Sequence, residues 1–230
     1  MKISMPRFIV FDLDHTLYNS DLANDVARDK LIEYLCLETS IKKDKIEAAY
    51  DVSRQKVKER LGNTASSHSR ILYVSQTIRE LEIKTKPSLL LMAEQIYWSN
   101  YMSQMIPRQG LLEFLQLARL HKISILLVTD LTLQIQLQKL LRLRLDDTFD
   151  FVFASEELGG DKKTGKPMEA IKQIIKEDIT WFFGDLFTDF LIEKPENTFF
   201  HMDSKSLLLD RNVIAVSDFN KPFELLNKVI

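Results

Sequence analysis

The sequence predicts an α/β protein, a doubly wound parallel sheet into which an all-helical unit is inserted. Three observations carry that expectation. After Pro107, apolar runs of strand length recur with helical segments between them. The run Phe8-Ile9-Val10-Phe11 near the start has no polar interruption, as in a strand buried on both faces. Between the two lies a stretch of about ninety residues whose charge-laced pattern is helical throughout.

A chain of 230 residues has room for one large domain, or for a core with a smaller domain inserted. The expected division is residues 1–17 and 106–230 for the sheet core and residues 18–105 for the helical insertion. With 45% hydrophobic and 28% charged residues and only 6 Gly and 6 Pro, the composition is that of a globular protein, which excludes disordered and fibrous classes. A net charge of −2 provides no basic excess to neutralise phosphate backbones, so nucleic acid is not an expected partner. The single cysteine, Cys36, permits neither an internal disulfide nor a cysteine-only metal cage, and its apolar helical surroundings read as core. Met1 to Pro6 contains no apolar leader, and no apolar run approaches the ~18 residues needed to cross a bilayer. The expectation is a cytoplasmic protein with no membrane partner, monomeric or homodimeric.

The first strand ends where polarity flips. Asp12 and Asp14 follow Phe11 one residue apart, and the two-residue period of a strand sends both to the same side. Two carboxylates that close repel unless a cation lies between them or one holds a proton. The alternative is that both merely initiate a turn. Four helices are expected next: Asp21–Leu37, Lys43–Leu61 (ended by Gly62-Asn63), Ser67–Leu81, and Pro87–Met102, with Pro87 in the first turn of the last.

The core resumes with a helix over Gly110–His121, whose Leu111, Leu112, Phe114, Leu115 and Ala118 form one apolar face. A strand over Ile123–Val128 runs into Thr129-Asp130. Further strands are expected at Phe149–Ala154, Ile179–Phe183, Thr198–Met202 and Val213–Val216, and helices at Pro167–Lys176 and Pro222–Val229. Leu131–Leu145 alternates apolar and polar residues, which by period alone is a strand. Its Leu, Gln, Lys and Arg content and the need for a crossover between parallel strands favour a helix.

In a parallel sheet every strand's carboxyl end lies at one edge, so Asp12, Asp14, Thr129, the Lys-rich loop with Lys166, and Asp185 and Asp189 can converge there. Asp185 and Asp189 are four apart and share a face if a helix starts at Asp185. Taken alone, Thr129 reads better as a helix cap; the alternative for Asp189 is an exposed helix charge, and for Lys162, Lys163 and Lys166 a solvated loop lysine. Lys166 is preferred because Pro167 after it favours an extended backbone at a helix entrance.

In order along the chain, these residues resemble the four motifs of the haloacid dehalogenase superfamily of hydrolases. They are Asp12-Leu13-Asp14-His15-Thr16, then Thr129, then Lys166-Pro167, then Gly184-Asp185-Leu186-Phe187-Thr188-Asp189. The resemblance covers the whole chain and implies a Rossmann-like core with an all-helical cap of the first type. It implies a magnesium-dependent phosphatase acting on a small-molecule phosphate ester. Asp12 would be the nucleophile, and Asp14 the acid that protonates the leaving oxygen and then the base for water. Asp12, the main-chain carbonyl of Asp14, and Asp185 would ligate Mg2+, with Asp189 behind them. Thr129 and Lys166 would bind the phosphoryl oxygens, and Thr16 and Asp130 would line the same pocket. The cap would supply His68 and Arg70 to the substrate, unless these are simply solvated residues at a helix start.

Two departures stand out: Asp130 replaces the Asn common after the motif threonine, and Glu193-Lys194-Pro195-Glu196 replaces an Ala-Gly turn. The loop Gly159 to Pro167 is similar to that of the N-acylneuraminate-9-phosphatase branch, which implies a sugar-acid phosphate as substrate, with nucleotides as the other small class. The competing readings are a dehalogenase-type hydrolase of the same fold and a phospho-accepting or partner-binding regulator without catalysis. A carbon–halogen hydrolase has no need of the Asp14 carboxylate, which favours the phosphatase.

Overall fold

The computed structural model of the chain describes residues 3–191, 194–202 and 212–230. Met1, and Glu193 of the Glu193–Glu196 departure, lie outside the described residues. The chain divides into two compact units, Met1–Asn19 with Ile106–Ile230, and Ser20–Met105.

The first unit begins with β1 (Phe8–Phe11). The second unit is helical: α1 (Ser20–Thr39), α2 (Lys43–Leu61), α3 (Arg70–Glu80) and α4 (Pro87–Ser103). Its helices pair because each keeps a stripe of buried residues, at four-residue spacing in Ala23, Ala27, Leu31 and Leu35 on α1 and in Leu89, Ala93, Tyr97 and Tyr101 on α4. Cys36 lies one step off that stripe and is half-buried rather than core. The third helix starts at Arg70 instead of Ser67, because a 3-10 turn over Ala65–His68 takes up the preceding residues.

The first unit then continues with α5 (Leu111–Leu120), β2 (Ser124–Thr129), α6 (Leu133–Arg142), β3 (Phe151–Ala154), a single turn α7 (Ser155–Leu158), α8 (Lys166–Ile175), β4 (Thr180–Gly184), β5 (Thr198–Met202), β6 (Val213–Val216) and α9 (Asn220–Val229). The six strands form one sheet in the order β3-β2-β1-β4-β5-β6, and every pairing is parallel. The expected doubly wound α/β core is therefore present. The helical reading of the alternating segment also holds. Gln136, Lys139 and Leu140 are buried at i, i+3 and i+4, and Leu143 continues the stripe at i+7.

Alternate residues of the central strands face opposite ways. Phe11, Phe183 and Phe200 stack on one side, with ring centroids 4.8 Å and 4.5 Å apart, and meet Phe114 of α5 and Phe219 at the start of α9. Val10, Phe182 and Phe199 face the other side against Met168, Ile171 and Ile175 of α8. Full burial of one phenylalanine contributes about 1.5–3 kcal/mol, so this packing fixes β1 against β4 independently of the polar residues at their ends.

Candidate active site at the carboxyl edge of the sheet

β1 lies at the middle of the sheet, where the chain order reverses, and the polar residues gather there. The Asp12 N–H donates to the Phe183 carbonyl (2.8 Å), which ties the first residue beyond β1 to β4. The Asp12 side chain is buried; one carboxylate oxygen accepts from Thr16 Oγ1 at 2.9 Å and the other accepts from Lys162 Nζ. Lys162 Nζ also donates to Asp189 at 2.6 Å, so one buried ammonium bridges two buried carboxylates.

Lys166 is not the lysine that reaches this cluster. It is already in the first turn of α8, after Gly165 at φ 78°, and its exposed side chain runs back to donate to the Gly159 carbonyl at 3.0 Å. Proline is compatible with the second residue of a helix, so Pro167 does not hold Lys166 extended there. The preceding 3-10 turn, Lys162–Thr164, folds Lys162 inward. Asp130 contributes to this: its carboxylate accepts from the Lys162 main-chain N–H at 3.0 Å and so braces the lysine's loop.

β4 ends in Gly184 for a steric reason. A Cβ there would lie 2.3–2.6 Å from the Asp189 side chain, so only glycine lets that carboxylate fold back over the strand. Asp185 and Asp189 do not share an α-helical face as expected; a 3-10 turn over Phe187–Asp189 brings Asp189 round, and its second oxygen accepts from the Leu186 N–H at 3.0 Å. Asp12, Asp185 and Asp189 each offer a carboxylate oxygen within 4.8 Å of the others.

Burial raises the Asp12 carboxyl well above its ordinary range. Lys162 opposes that shift, while Asp189 and Asp185 reinforce it. Asp185 is raised by burial and then by Asp189. Burial lowers Lys162, but Asp12, Asp189 and Asp130 together carry it the other way, so it stays charged. Three crowded carboxylates face one ammonium among the described residues. An all-oxygen set with excess negative charge is the donor chemistry of a hard dication such as Mg2+.

Asp14 has a separate environment. Both of its oxygens accept from Lys139 Nζ at 2.7 Å, and one also accepts from the Tyr18 hydroxyl. Burial alone would raise its carboxyl, but Lys139, reinforced by hydrogen bonds from Tyr18 and Gln136, holds it below its ordinary range. Thr129 is buried; its hydroxyl donates to the Asp130 carbonyl at 3.3 Å and accepts from Gln136 Nε2.

The structure thus brings together Asp12, Asp14, Thr16, Thr129, Asp130, Asp185 and Asp189. His68 and Arg70 belong to the helical unit, where Arg70 donates to the His68 carbonyl at 2.6 Å and to Tyr97 Oη at 3.0 Å. Lys139, Gln136 and Tyr18 were not expected at the site. For Lys139 a signal existed, since it falls on the helical stripe Gln136, Leu140, Leu143 that had to be buried.

The family model for haloacid dehalogenase-like hydrolases matches residues 9–198. The chain belongs to that family. Among relatives of this hydrolase, a ribulose-1,5-bisphosphate 5-phosphatase of Halopiger xanaduensis is 35% identical over 162 residues, which are 69% of this chain and 66% of the relative. A 2-haloacid dehalogenase from Pseudomonas syringae shares its fold with a TM-score of 0.71 at 16% identity over 100% of both chains. The HAD-hydrolase YfnB from Bacillus subtilis, bound to magnesium, has a TM-score of 0.65 at 17% identity, covering 97% of this chain and 100% of its own. At those identities the two structures establish a common fold. Among the described residues no helix is long and apolar enough to cross a membrane.

Proposed function

We propose that this hydrolase is a magnesium-dependent phosphomonoesterase working through an aspartyl-phosphate on Asp12. The supporting observation is the division of labour between two aspartates two residues apart, one bridged by Lys162 to the acidic cluster and the other held on Lys139. A carboxylate oxygen of Asp12 forms the bond to phosphorus as the ester P–O bond breaks, and the departing oxygen takes its proton from Asp14. Water then attacks the phosphorus, its proton goes to Asp14, and the Asp12–phosphoryl bond breaks to free phosphate. Lys162, in place of Lys166, neutralises phosphoryl oxygens together with the Thr129 hydroxyl, while Thr16 fixes the Asp12 carboxylate. A magnesium ion held by Asp12, Asp185 and the Asp14 main-chain carbonyl, with Asp189 supporting them, would supply positive charge against the transferring group.

The helical unit serves as a cap of the first type, with His68 and Arg70 as its candidates for substrate recognition. The substrate is a small sugar phosphate. The relative's name points to a sugar bisphosphate, and the Gly159–Pro167 loop to a nine-carbon sugar-acid phosphate. Asp12→Asn should lower kcat by about 10³-fold or more, since it removes the route itself. Released phosphate from an aryl phosphate, and then from a panel of sugar phosphates and nucleoside monophosphates, reads this out. Full turnover in Asp12→Asn or in excess chelator would exclude the mechanism.

A further inference from the structure

The helical unit contains a cavity of about 40 Å³ lined by Asn24, Arg28, Tyr50, Asp51, Arg54 and Arg70, with Tyr73 completing its wall. At about 10–15 Å³ per enclosed water, that is room for several waters or one tetrahedral or planar oxyanion. Its lining has three guanidinium groups and one carboxylate. The carboxylate is already engaged, because Asp51 accepts from Arg28 at 3.0 and 3.1 Å. Arg70 has no carboxylate partner among the described residues. Its guanidinium lies 4.8–5.6 Å from the ring centres of Tyr97, Trp98 and Tyr73, which hold it in place without neutralising it.

Tyr50 is the decisive residue. It is 3% exposed, its ring packs edge-on against Tyr73, and its hydroxyl has no hydrogen-bond partner among the described residues. Burial pushes its ionisation far up, so the hydroxyl remains a donor. The hydroxyl is not among the fully enclosed unpaired polar atoms of the described residues, so at the wall of the cavity it stays accessible and free to donate to a bound acceptor. The cavity therefore offers donors and positive charge, and its one charged acceptor is occupied.

We propose that the helical unit holds its own oxyanion site, in which Arg70, Arg54 and the Tyr50 hydroxyl bind a phosphate or carboxylate group. The site stands on residues of this unit alone. Only its assignment to the substrate, as the second anionic group of a doubly charged sugar phosphate, rests on the phosphatase reading.

The chain has two tryptophans, Trp98 beside Arg70 and Trp181 in β4, so full-length protein labelled with 5-fluorotryptophan gives two ¹⁹F resonances, assigned with Trp181→Phe. Inorganic phosphate should shift the Trp98 resonance saturably. Tyr50→Phe should weaken that binding about tenfold, and Arg54→Met comparably, while the thermal midpoint of Tyr50→Phe stays at the wild-type value because the lost hydroxyl bonded nothing. A Trp98 resonance unmoved by phosphate, or equal affinities in wild type and both variants, would overturn the site. The ratio of KM for a sugar bisphosphate to KM for a sugar monophosphate separates the sources. A higher ratio in Tyr50→Phe assigns the anion to the substrate, and an unchanged ratio with weakened phosphate binding assigns it to free phosphate. The fluorine titration reads the site even if no phosphate ester is hydrolysed.

Discussion

Replacing Lys162 and Lys166 separately tests the site where the structure departs most from the sequence reading. Lys162 is 6% exposed and its ammonium is shared by Asp12 and Asp189, also buried, at 8% and 3%. Lys162→Met keeps the aliphatic stem and removes the charge, leaving two buried carboxylates facing each other and Asp185. Breaking a buried pair by removing one partner costs about 3–5 kcal/mol. At about 2–4 °C per kcal/mol for a chain of this size, the thermal midpoint in chelator should fall by roughly 6–20 °C. Lys166→Met removes an exposed side chain whose ammonium bonds a single loop carbonyl, and should stay within about 0.5 kcal/mol of wild type.

Because a dication would oppose the same negative charge, magnesium should recover a larger part of the midpoint in Lys162→Met than it adds to the wild type. On activity the two variants should separate further. Loss of a preorganised cation at a developing phosphoryl charge costs about 10²–10³ in kcat, and Lys166→Met should remain within a few-fold of wild type. Calorimetry with and without magnesium, together with phosphate release from an aryl phosphate, measures both. If Lys166→Met lost more activity than Lys162→Met, the 3-10 turn would not hold in solution and the lysine before Pro167 would be the phosphate cation.

The remaining predictions use the same cluster. Asp185→Ala should raise the magnesium concentration for half-maximal activity far more than Asp189→Ala, because Asp189 already serves Lys162 and the Leu186 N–H; equal shifts in a magnesium titration would reverse that ranking. Gly184→Ala should cost about 2 kcal/mol or more in urea unfolding, since its Cβ would meet Asp189 at 2.3–2.6 Å, and an unchanged midpoint would mean that the carboxylate does not cover the strand. In chelator, the raised Asp12 and Asp185 carboxyls bind protons more tightly folded than unfolded, so stability should fall as pH rises from about 3.9 through their folded values, and magnesium should flatten that limb. Asp14 has the opposite sign: its stabilisation is complete above about 3.9 and disappears as pH falls through its lowered folded value, so a chelator profile that instead climbs with pH above that point would contradict the assignments.

Much of this was legible in the chain. The unbroken run Phe8–Phe11 gave the central strand, and β5 and β6 fall on the expected residues, because buried parallel strands leave a continuous apolar signal. The acidic strand ends converge because a parallel sheet leaves no other edge for them. What the chain did not disclose is which of several equivalent cations turns inward. Lys162, Lys163 and Lys166 differ only in a local backbone choice made by the Lys162–Thr164 turn and by Asp130, a long-range partner with no periodic signature. Lys139 was hidden differently. The alternation from Leu131 lays a strand period over a helix, so the period does not mark which helical face carries the charge.

The two lysines explain how like charges can sit two residues apart at one strand end. Each aspartate has its own buried ammonium, Lys162 for Asp12 and Lys139 for Asp14, reached from different elements and separated by the strand's exit. The balance differs between them. Asp14 has a cation, a phenol and little competing negative charge, so it is lowered. Asp12 shares its cation with Asp189 and faces Asp185, so it is raised. The proposed roles require Asp12 ionised as nucleophile and Asp14 protonated as general acid, and the protein's own charges favour the reverse. Positive charge added among Asp12, Asp185 and Asp189 would favour the ionised Asp12 directly. On the same proposal, Asp14 would gain its proton on turning from Lys139 toward a leaving oxygen. In the proposed mechanism, metal loading and substrate arrival would then act on different aspartates, each set against its own lysine.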